Sequence, residues 1–360
     1  MRYLVVPSQE TETWKEYLVS KEWLERKYSI ETEGENRAIP LSNLFPKIVP
    51  MELSNFKIIE KDAPSISPND YLGYLKMSLG DVTYNKFEKF WPQSFDQIGE
   101  VIIIKIDNEV ENFSENISQS LLHQNKRVTR IFQDLGVQGD FRIRKLKLIG
   151  GEENLGGETK IKENGVEFLV DPTKGYYSPR LATERLETLE CAILLKEKLG
   201  RELKICDAYA GFGPALMPLI KEKKLVNYIL ANDLNPKVTS ILESNLINNN
   251  KENIEFEIKC EDAQKLINYT NYKQLFDLLL VNLPHSTIAH LPSLIGLLNN
   301  NSTSVLRAWS IINLKDVANI KSQIQELFLS QKYSISKIIV EPTRTYSPTQ
   351  VYTKIEIWTN

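Results

Sequence analysis

The sequence predicts an α/β protein whose C-terminal part is a mainly parallel sheet with helices on both faces. Three observations carry that prediction. From residue 183 to the end, short apolar segments alternate with helix-length amphipathic ones, the order that lays parallel strands side by side through crossover helices. One apolar segment runs into the glycine turn Gly211-Phe212-Gly213, and another ends in the acid Asp233. A chain of 360 residues has room for two or three domains. Its 42% hydrophobic and 25% charged residues exclude disordered and collagen-like classes. No apolar run approaches the roughly 20 residues of a membrane span. Met1 to Pro7 hold too short an apolar stretch for a signal peptide, so a cytoplasmic protein is expected. Cys191, Cys206 and Cys260 form no close pair, which argues against a disulfide framework or a zinc site.

Taken in order, residues 3–6 read as a strand and 12–23 as an amphipathic helix, giving a small N-terminal α/β domain. Prolines at 40, 46, 50, 64 and 68 favour extended connections and a linker that ends near residue 72. Residues 101–106 read as a strand. Ile117, Leu121, Val128 and Ile131 fall near helical spacing, so the pattern predicts a helix over 114–132 with Gly136 as its stop. Within 126–147, seven cations (Lys126, Arg127, Arg130, Arg142, Arg144, Lys145, Lys147) stand against two acids (Asp134, Asp140), a local +5 in a chain of net charge −3. Such a run is either the solvated face of a helix and strand or a phosphate-binding surface. A local patch, more than the average, decides nucleic-acid affinity. Residues 150–162 read as a glycine-rich hairpin or loop.

The chemistry-bearing segment starts with Lys204-Ile205-Cys206-Asp207, a strand ending in an acid, and continues through Ala208-Tyr209-Ala210-Gly211-Phe212-Gly213-Pro214 into a helix. Glycines let a ligand approach the backbone closely, and a helix start offers free N–H groups. Pro214 suits a first helical turn. A dinucleotide fingerprint needs a third glycine where this chain has Leu216. Asp207 would repel a pyrophosphate and suits the cationic amino-acid half of S-adenosylmethionine. A second strand over 226–232 ends at Asp233, 26 residues after Asp207, the distance at which an acid accepts both ribose hydroxyls. Either acid alone could equally cap a helix. After a third strand over 254–258, Asp262 either holds an adenine amino group or caps a turn. A fourth strand over 276–281 runs into Asn282-Leu283-Pro284, where a doubly wound sheet opens towards substrate. The Asn282 amide offers a donor and an acceptor to a planar base edge, and Pro284 fixes the turn. His123, His285 and His290 show no ligand spacing, and no metal is expected.

Further segments complete a recognisable order: Phe95-Asp96-Gln97-Ile98-Gly99, Gly139-Asp140-Phe141-Arg142-Ile143-Arg144, Lys162-Glu163-Asn164-Gly165 and Tyr177-Ser178-Pro179-Arg180-Leu181-Ala182-Thr183-Glu184-Arg185. With the glycine turn, Asn235-Pro236 and Asn282-Leu283-Pro284, the chain resembles the class I tRNA (guanine-37, N1) methyltransferases of archaea and eukaryotes. The first block and Arg344-Thr345-Tyr346-Ser347-Pro348 look like that family's small first domain and final hairpin. Tyr209 and Phe212 stand where Phe and Val are typical.

The resemblance implies a Rossmann-type class I methyltransferase domain with a seven-stranded mixed sheet over 166–360. It further implies a middle α+β RNA-recognition domain over 73–165 and a tRNA-contacting N-terminal α/β domain over 1–72. S-adenosyl-L-methionine is the implied cofactor, tRNA (anticodon arm and outer corner) the implied partner, and a monomer the expected state. Arg185, Asn235, Asn282 and Leu283 join Asp207, Tyr209, Gly211, Gly213, Pro214, Asp233 and Asp262 as expected cofactor contacts. Lys126, Arg127, Arg130, Arg142, Arg144, Lys145 and Arg180 are the expected RNA contacts. Glu184 corresponds to the general base, and either Arg142 or Arg144 to the arginine at the base carbonyl. Asn282 and Pro284 correspond to the holders of the base edge. Methylating guanine N1 requires a base for its proton and a cation for the charge that spreads to O6. The plainer reading of Glu184 is an i,i+4 pair with Arg180 on a helix opened by Ser178 and Pro179. Two further activities suit the same resemblance. One is methylation at C7 of 4-demethylwyosine-37. The other is aminocarboxypropyl transfer, whose enzymes lack Asn-x-Pro at the fourth strand. A catalytically inactive tRNA-binding relic would not keep Asp207, Gly211, Gly213 and Asp233 together.

Overall fold

The computed structural model describes residues 1–62, 68, 70–138 and 143–360. Its contacts divide the chain into two units, Met1–Tyr84 and Asn85–Asn360. The first unit holds β1 (Arg2–Pro7), α1 (Thr11–Ser20), β2 (Glu31–Glu33), β3 (Asn36–Pro40) and β4 (Lys57–Glu60), and α2 (Tyr71–Lys86) begins in it. The strands form a sheet in the order β2-β3-β1-β4, with β1 antiparallel to both neighbours. Leu4, Val6 and Ile39 bury their side chains with Leu18, Phe45 and Leu53. The stretch expected to be linker therefore supplies a strand. Lys57–Glu60 carries no proline, so its N–H groups pair with β1. The remainder of that expected linker, at 63–67 and 69, lies outside the described residues.

The second unit opens with β5 (Phe95–Ile98), β6 (Val101–Ile104), α3 (Ser114–Gln124), β7 (Arg130–Gln138) and β8 (Ile143–Gly151), whose strands make a sheet in the order β5-β6-β7-β8. The helix expected over 114–132 stops at Gln124. Asn125 closes it, with its backbone N–H and its side-chain amide both donating to Leu121 O at 2.9 Å. Ile131 and Phe132 then lie in β7, paired in parallel with Ile102 and Ile103 of β6 and buried. Helical spacing was a chance feature of a helix, a turn and a strand in succession, and strand pairing overrode it. Gly136 stops no helix. It sits at a register shift of β7 between Asp134 and Val137.

A two-stranded hairpin follows, β9 (Thr159–Glu163) with β10 (Val166–Val170). Then come α4 (Ala182–Leu199), β11 (Leu203–Asp207), α5 (Leu216–Lys221), β12 (Val226–Asn232), α6 (Pro236–Asn249), β13 (Glu255–Lys259), β14 (Leu278–Asn282), α7 (Thr287–Leu294), β15 (Val305–Asn313), α8 (Val317–Ser330), β16 (Ile335–Thr345) and β17 (Gln350–Thr359). Their seven strands form one mixed sheet in the order β13-β12-β11-β14-β15-β17-β16. The first five are parallel, and β17 runs antiparallel to β15 and β16. Alternate residues feed two cores. Ile205, Leu278 and Leu280 pack on one face of the sheet, while Cys206, Leu279 and Val281 pack on the other. This is the Rossmann-like arrangement expected. Strand order reverses between β11 and β14, so a crevice opens beyond their C-terminal ends. Among the described residues no helix is long and apolar enough to cross a membrane.

Candidate active site

The loop leaving β11 brings two acids to one glycine turn. Asp207 is 2% exposed and accepts the Tyr209 N–H at 3.3 Å. Burial pushes its carboxyl up to about 7, and the nearby Asp233 charge adds to the rise. Asp233, beyond the end of β12, accepts the Gly211 N–H at 2.9 Å and the Asn235 N–H at 3.0 Å. Its carboxyl is also raised by burial, against those two hydrogen bonds. Gly211 has φ 55, and a Cβ built there would meet nothing within 4 Å, so the turn leaves room for a ligand beside its backbone. Gly213 has φ 82, and a Cβ there would press on Leu242 at 2.7 Å. Pro214 enters the turn ahead of α5, with Leu216 N–H donating to Gly213 O at 3.0 Å.

Three other expected cofactor contacts have structural partners. Asn235 caps α6 through Lys237 N–H and donates to Lys174 O at 2.6 Å. Asp262 caps the turn after β13, accepting from Gln264 N–H at 3.0 Å. Tyr209 places its hydroxyl 2.6 Å from His290 Nδ1 on α7. Buried Asn232, which sequence reasoning missed, donates to Ala208 O and Glu261 O and thereby ties the ends of β11, β12 and β13.

At the same end of the sheet, β14 delivers an exposed Asn282. Leu283 O accepts the N–H groups of Ser286 and Thr287, while Pro284 O accepts Ile311 N–H at 2.8 Å, so the turn is pinned on both sides. Glu184 lies in the first turn of α4, half-buried. It accepts the Tyr352 hydroxyl at 3.3 Å on Oε2, and Arg344 Nη2 stands 3.7 Å from its Oε1. Burial raises the Glu184 carboxyl, opposed by the Arg344 charge and the Tyr352 hydrogen bond. The expected i,i+4 partner is engaged elsewhere. Arg180 Nη2 binds Asp96 at 2.7 Å, and the other oxygen of Asp96 takes Arg144 at 3.2 Å. Arg144 also lies 3.8 Å from Asp134 and over the Tyr176 ring. Arg142 lies outside the described residues.

Comparison with known proteins matches residues 159–317 to the TRM5/TYW2 methyltransferase domain and residues 75–154 to the TYW2 N-terminal domain. The tRNA (guanine(37)-N(1))-methyltransferase Trm5b of Pyrococcus abyssi is 30% identical over 253 residues, 69% of this chain and 68% of the relative. This chain belongs to the TRM5/TYW2 methyltransferase family. The crystal structure of Trm5b from Pyrococcus abyssi superposes with a TM-score of 0.67 at 26% identity, covering 100% of this chain and 99% of that one. A complex of aTrm5 with tRNALeu has the same fold, with a TM-score of 0.64 at 20% identity over 100% of both chains.

Two residues expected to touch ligands in this TRM5/TYW2 member are turned inward. Arg185 is 7% exposed; its Nη1 binds Glu163 at 2.5 Å and its Nη2 donates to Ser178 O at 3.1 Å, so these donors brace the entry to α4. Arg130 is 1% exposed, and its Nη1 donates to Leu155 O, Gly156 O and Glu158 O. It clamps the glycine-rich loop and cannot reach a phosphate. Lys126, Arg127 and Lys145 are exposed, as phosphate contacts must be. Asp96 and Arg344 stand in two of the segments that carry the resemblance, but neither they nor Tyr352 were expected as site residues, because each acts on a partner far away in the chain.

Proposed function

We propose that this chain transfers the methyl group of S-adenosylmethionine to N1 of guanine-37 in tRNA. The observation that carries this reading is the convergence of Asp207 and Asp233 on one open glycine turn while Glu184 and Asn282 stand at the same end of the sheet. The names of the relatives support the same reaction. When bound, S-adenosylmethionine supplies an electrophilic methyl group. Asp207 would face its cationic amino-acid portion and Asp233 its ribose, with Gly211, Gly213 and Asp262 lining the remainder.

The protein's own work is on the base. Asn282 and Pro284 hold the guanine edge. Glu184 accepts the N1 proton, which frees a lone pair to take the methyl group, and the negative charge that spreads to O6 meets an arginine cation. Either Arg142 or Arg144 supplies that cation. In this reading the protein is a cytoplasmic monomer. Residues 1–72 meet the tRNA outer corner, and 73–165 with 166–360 grip the anticodon arm. Lys126, Arg127 and Lys145 supply phosphate contacts.

Mass spectrometry of nucleosides tests the proposal, after incubation with one tRNA carrying guanosine and one carrying 4-demethylwyosine at position 37. A methyl increment on the guanosine substrate is expected. A methyl increment only on 4-demethylwyosine reassigns the target base, and an aminocarboxypropyl increment overturns methyl transfer.

A further inference from the structure

We propose that the β16–β17 hairpin is a positioning device for the general base, with Tyr352 and Arg344 holding the Glu184 carboxylate ionised and aimed. The inference rests on the reading of Glu184 as that base. Arg344 and Tyr352 are directly opposite each other in the β16–β17 ladder. The Arg344 guanidinium lies 4.2 Å from the centroid of the Tyr352 ring, close enough for cation–π attraction to hold the pair together. Tyr352 is 5% exposed and packs with Leu181 and Trp309, so its hydroxyl has a fixed place. Each partner addresses a different oxygen of Glu184, Tyr352 at Oε2 and Arg344 at Oε1.

The neighbouring charges leave this task to the hairpin. Arg185 and Glu187 of α4 also bear on Glu184, but Arg185 is paired with Glu163, and Glu187 with Lys354 and Arg307. Tyr176 is a further titratable group near Tyr352. Arg344 has Glu184 as its ion-pair partner among the described residues. The hairpin also reaches the loop that would hold the base. Ile311 pairs with Tyr352 in the β15–β17 ladder and donates to Pro284 O, while the Tyr346 ring stands edge-on to His285, 5.6 Å between centroids. One hairpin thus supports both the proton acceptor and the Asn282-Leu283-Pro284 turn.

Burial alone disfavours the ionised form of Glu184; a hydrogen-bond donor and a cation favour it. Removing either one should leave the base protonated to higher pH. The test measures single-turnover methylation of guanosine-37 tRNA against pH for the intact protein, Tyr352→Phe, Arg344→Gln, Arg344→Lys and Glu184→Gln, with S-adenosylmethionine affinity measured on each. The acidic limb should move to higher pH by about one unit in Tyr352→Phe and Arg344→Gln, and should largely return in Arg344→Lys. Below the limb that shift reads as a rate about tenfold lower, while cofactor affinity stays unchanged. An unmoved limb alongside an inactive Glu184→Gln overturns the positioning role alone. An active Glu184→Gln overturns the base reading itself. Loss of cofactor affinity in Arg344→Gln, a change at a partly exposed side chain, would mean a general disturbance of the site and also overturns the inference.

Discussion

Asp207 pairs a buried carboxyl with a task that needs its charge. Its folded value of about 7 lies above the usual 3.8, so between roughly pH 4 and pH 7 the folded protein binds more protons at this site than the unfolded chain. The Asp207 contribution to stability without cofactor then falls as pH rises through that window, by an amount on the order of 4 kcal/mol at roughly 1.4 kcal/mol per pH unit. Asp207→Asn should flatten the decline and leave the unliganded protein more stable at neutral pH, while S-adenosylmethionine binding is lost. Denaturant unfolding from pH 4 to 8, with and without the substitution, checks this; parallel curves would refute it. Glu184 is raised in the same direction and is common to both proteins, whereas Asp233 is coupled to Asp207, so the substitution also eases its ionisation. The position of both acids was legible in the sequence, because each ends a strand beside a turn. How deeply each is buried was not, since burial is set by segments far away in the chain, such as those Asn232 ties together at Ala208 and Glu261.

At the scale of elements, four of the five parallel strands announced themselves by apolar runs bounded by turns, and their ends fell within two residues of the expected ones, while β15 had no expected range. The middle block did not. A helix, a turn and a strand in succession placed Ile117, Leu121, Val128 and Ile131 at helical spacing, and only the pairing of β7 with β6 separates them. Arg130 was misread for the same reason: as a helix residue it would project a cation into solvent, whereas as the first residue of β7 it is buried. There it satisfies three carbonyls of the loop between β8 and β9. Arg130→Met keeps the apolar stem and leaves those carbonyls without their donor, so it should destabilise the protein by about 3 kcal/mol or more. The denaturant midpoint measures the loss. A change within about 0.5 kcal/mol, the range of ordinary surface substitutions, would show that the loop holds itself.

For the whole molecule, the net charge of −3 conceals how charge is distributed. Asp207 is buried and Asp233 half-buried at the glycine turn, Arg130 and Arg185 are consumed internally, and Arg144 and Arg180 share Asp96. Among the described residues, what faces water from the basic segment is a smaller set, Lys126, Arg127, Lys145 and Lys147. Composition could count these charges but not sort them, because sorting requires burial. Each exposed cation that neutralises a tRNA phosphate releases condensed counterions and adds to the slope of log affinity against log salt. Replacing Lys126, Arg127 and Lys145 together by Gln should therefore lower the magnitude of that slope by about 2, at roughly 0.7 to 0.9 per phosphate contact. Arg130→Met should leave the slope unchanged even though it destabilises the fold. Titration of tRNA binding at several salt concentrations separates the two cases. A slope altered by Arg130→Met and untouched by the triple substitution would place the RNA on a different face of the protein.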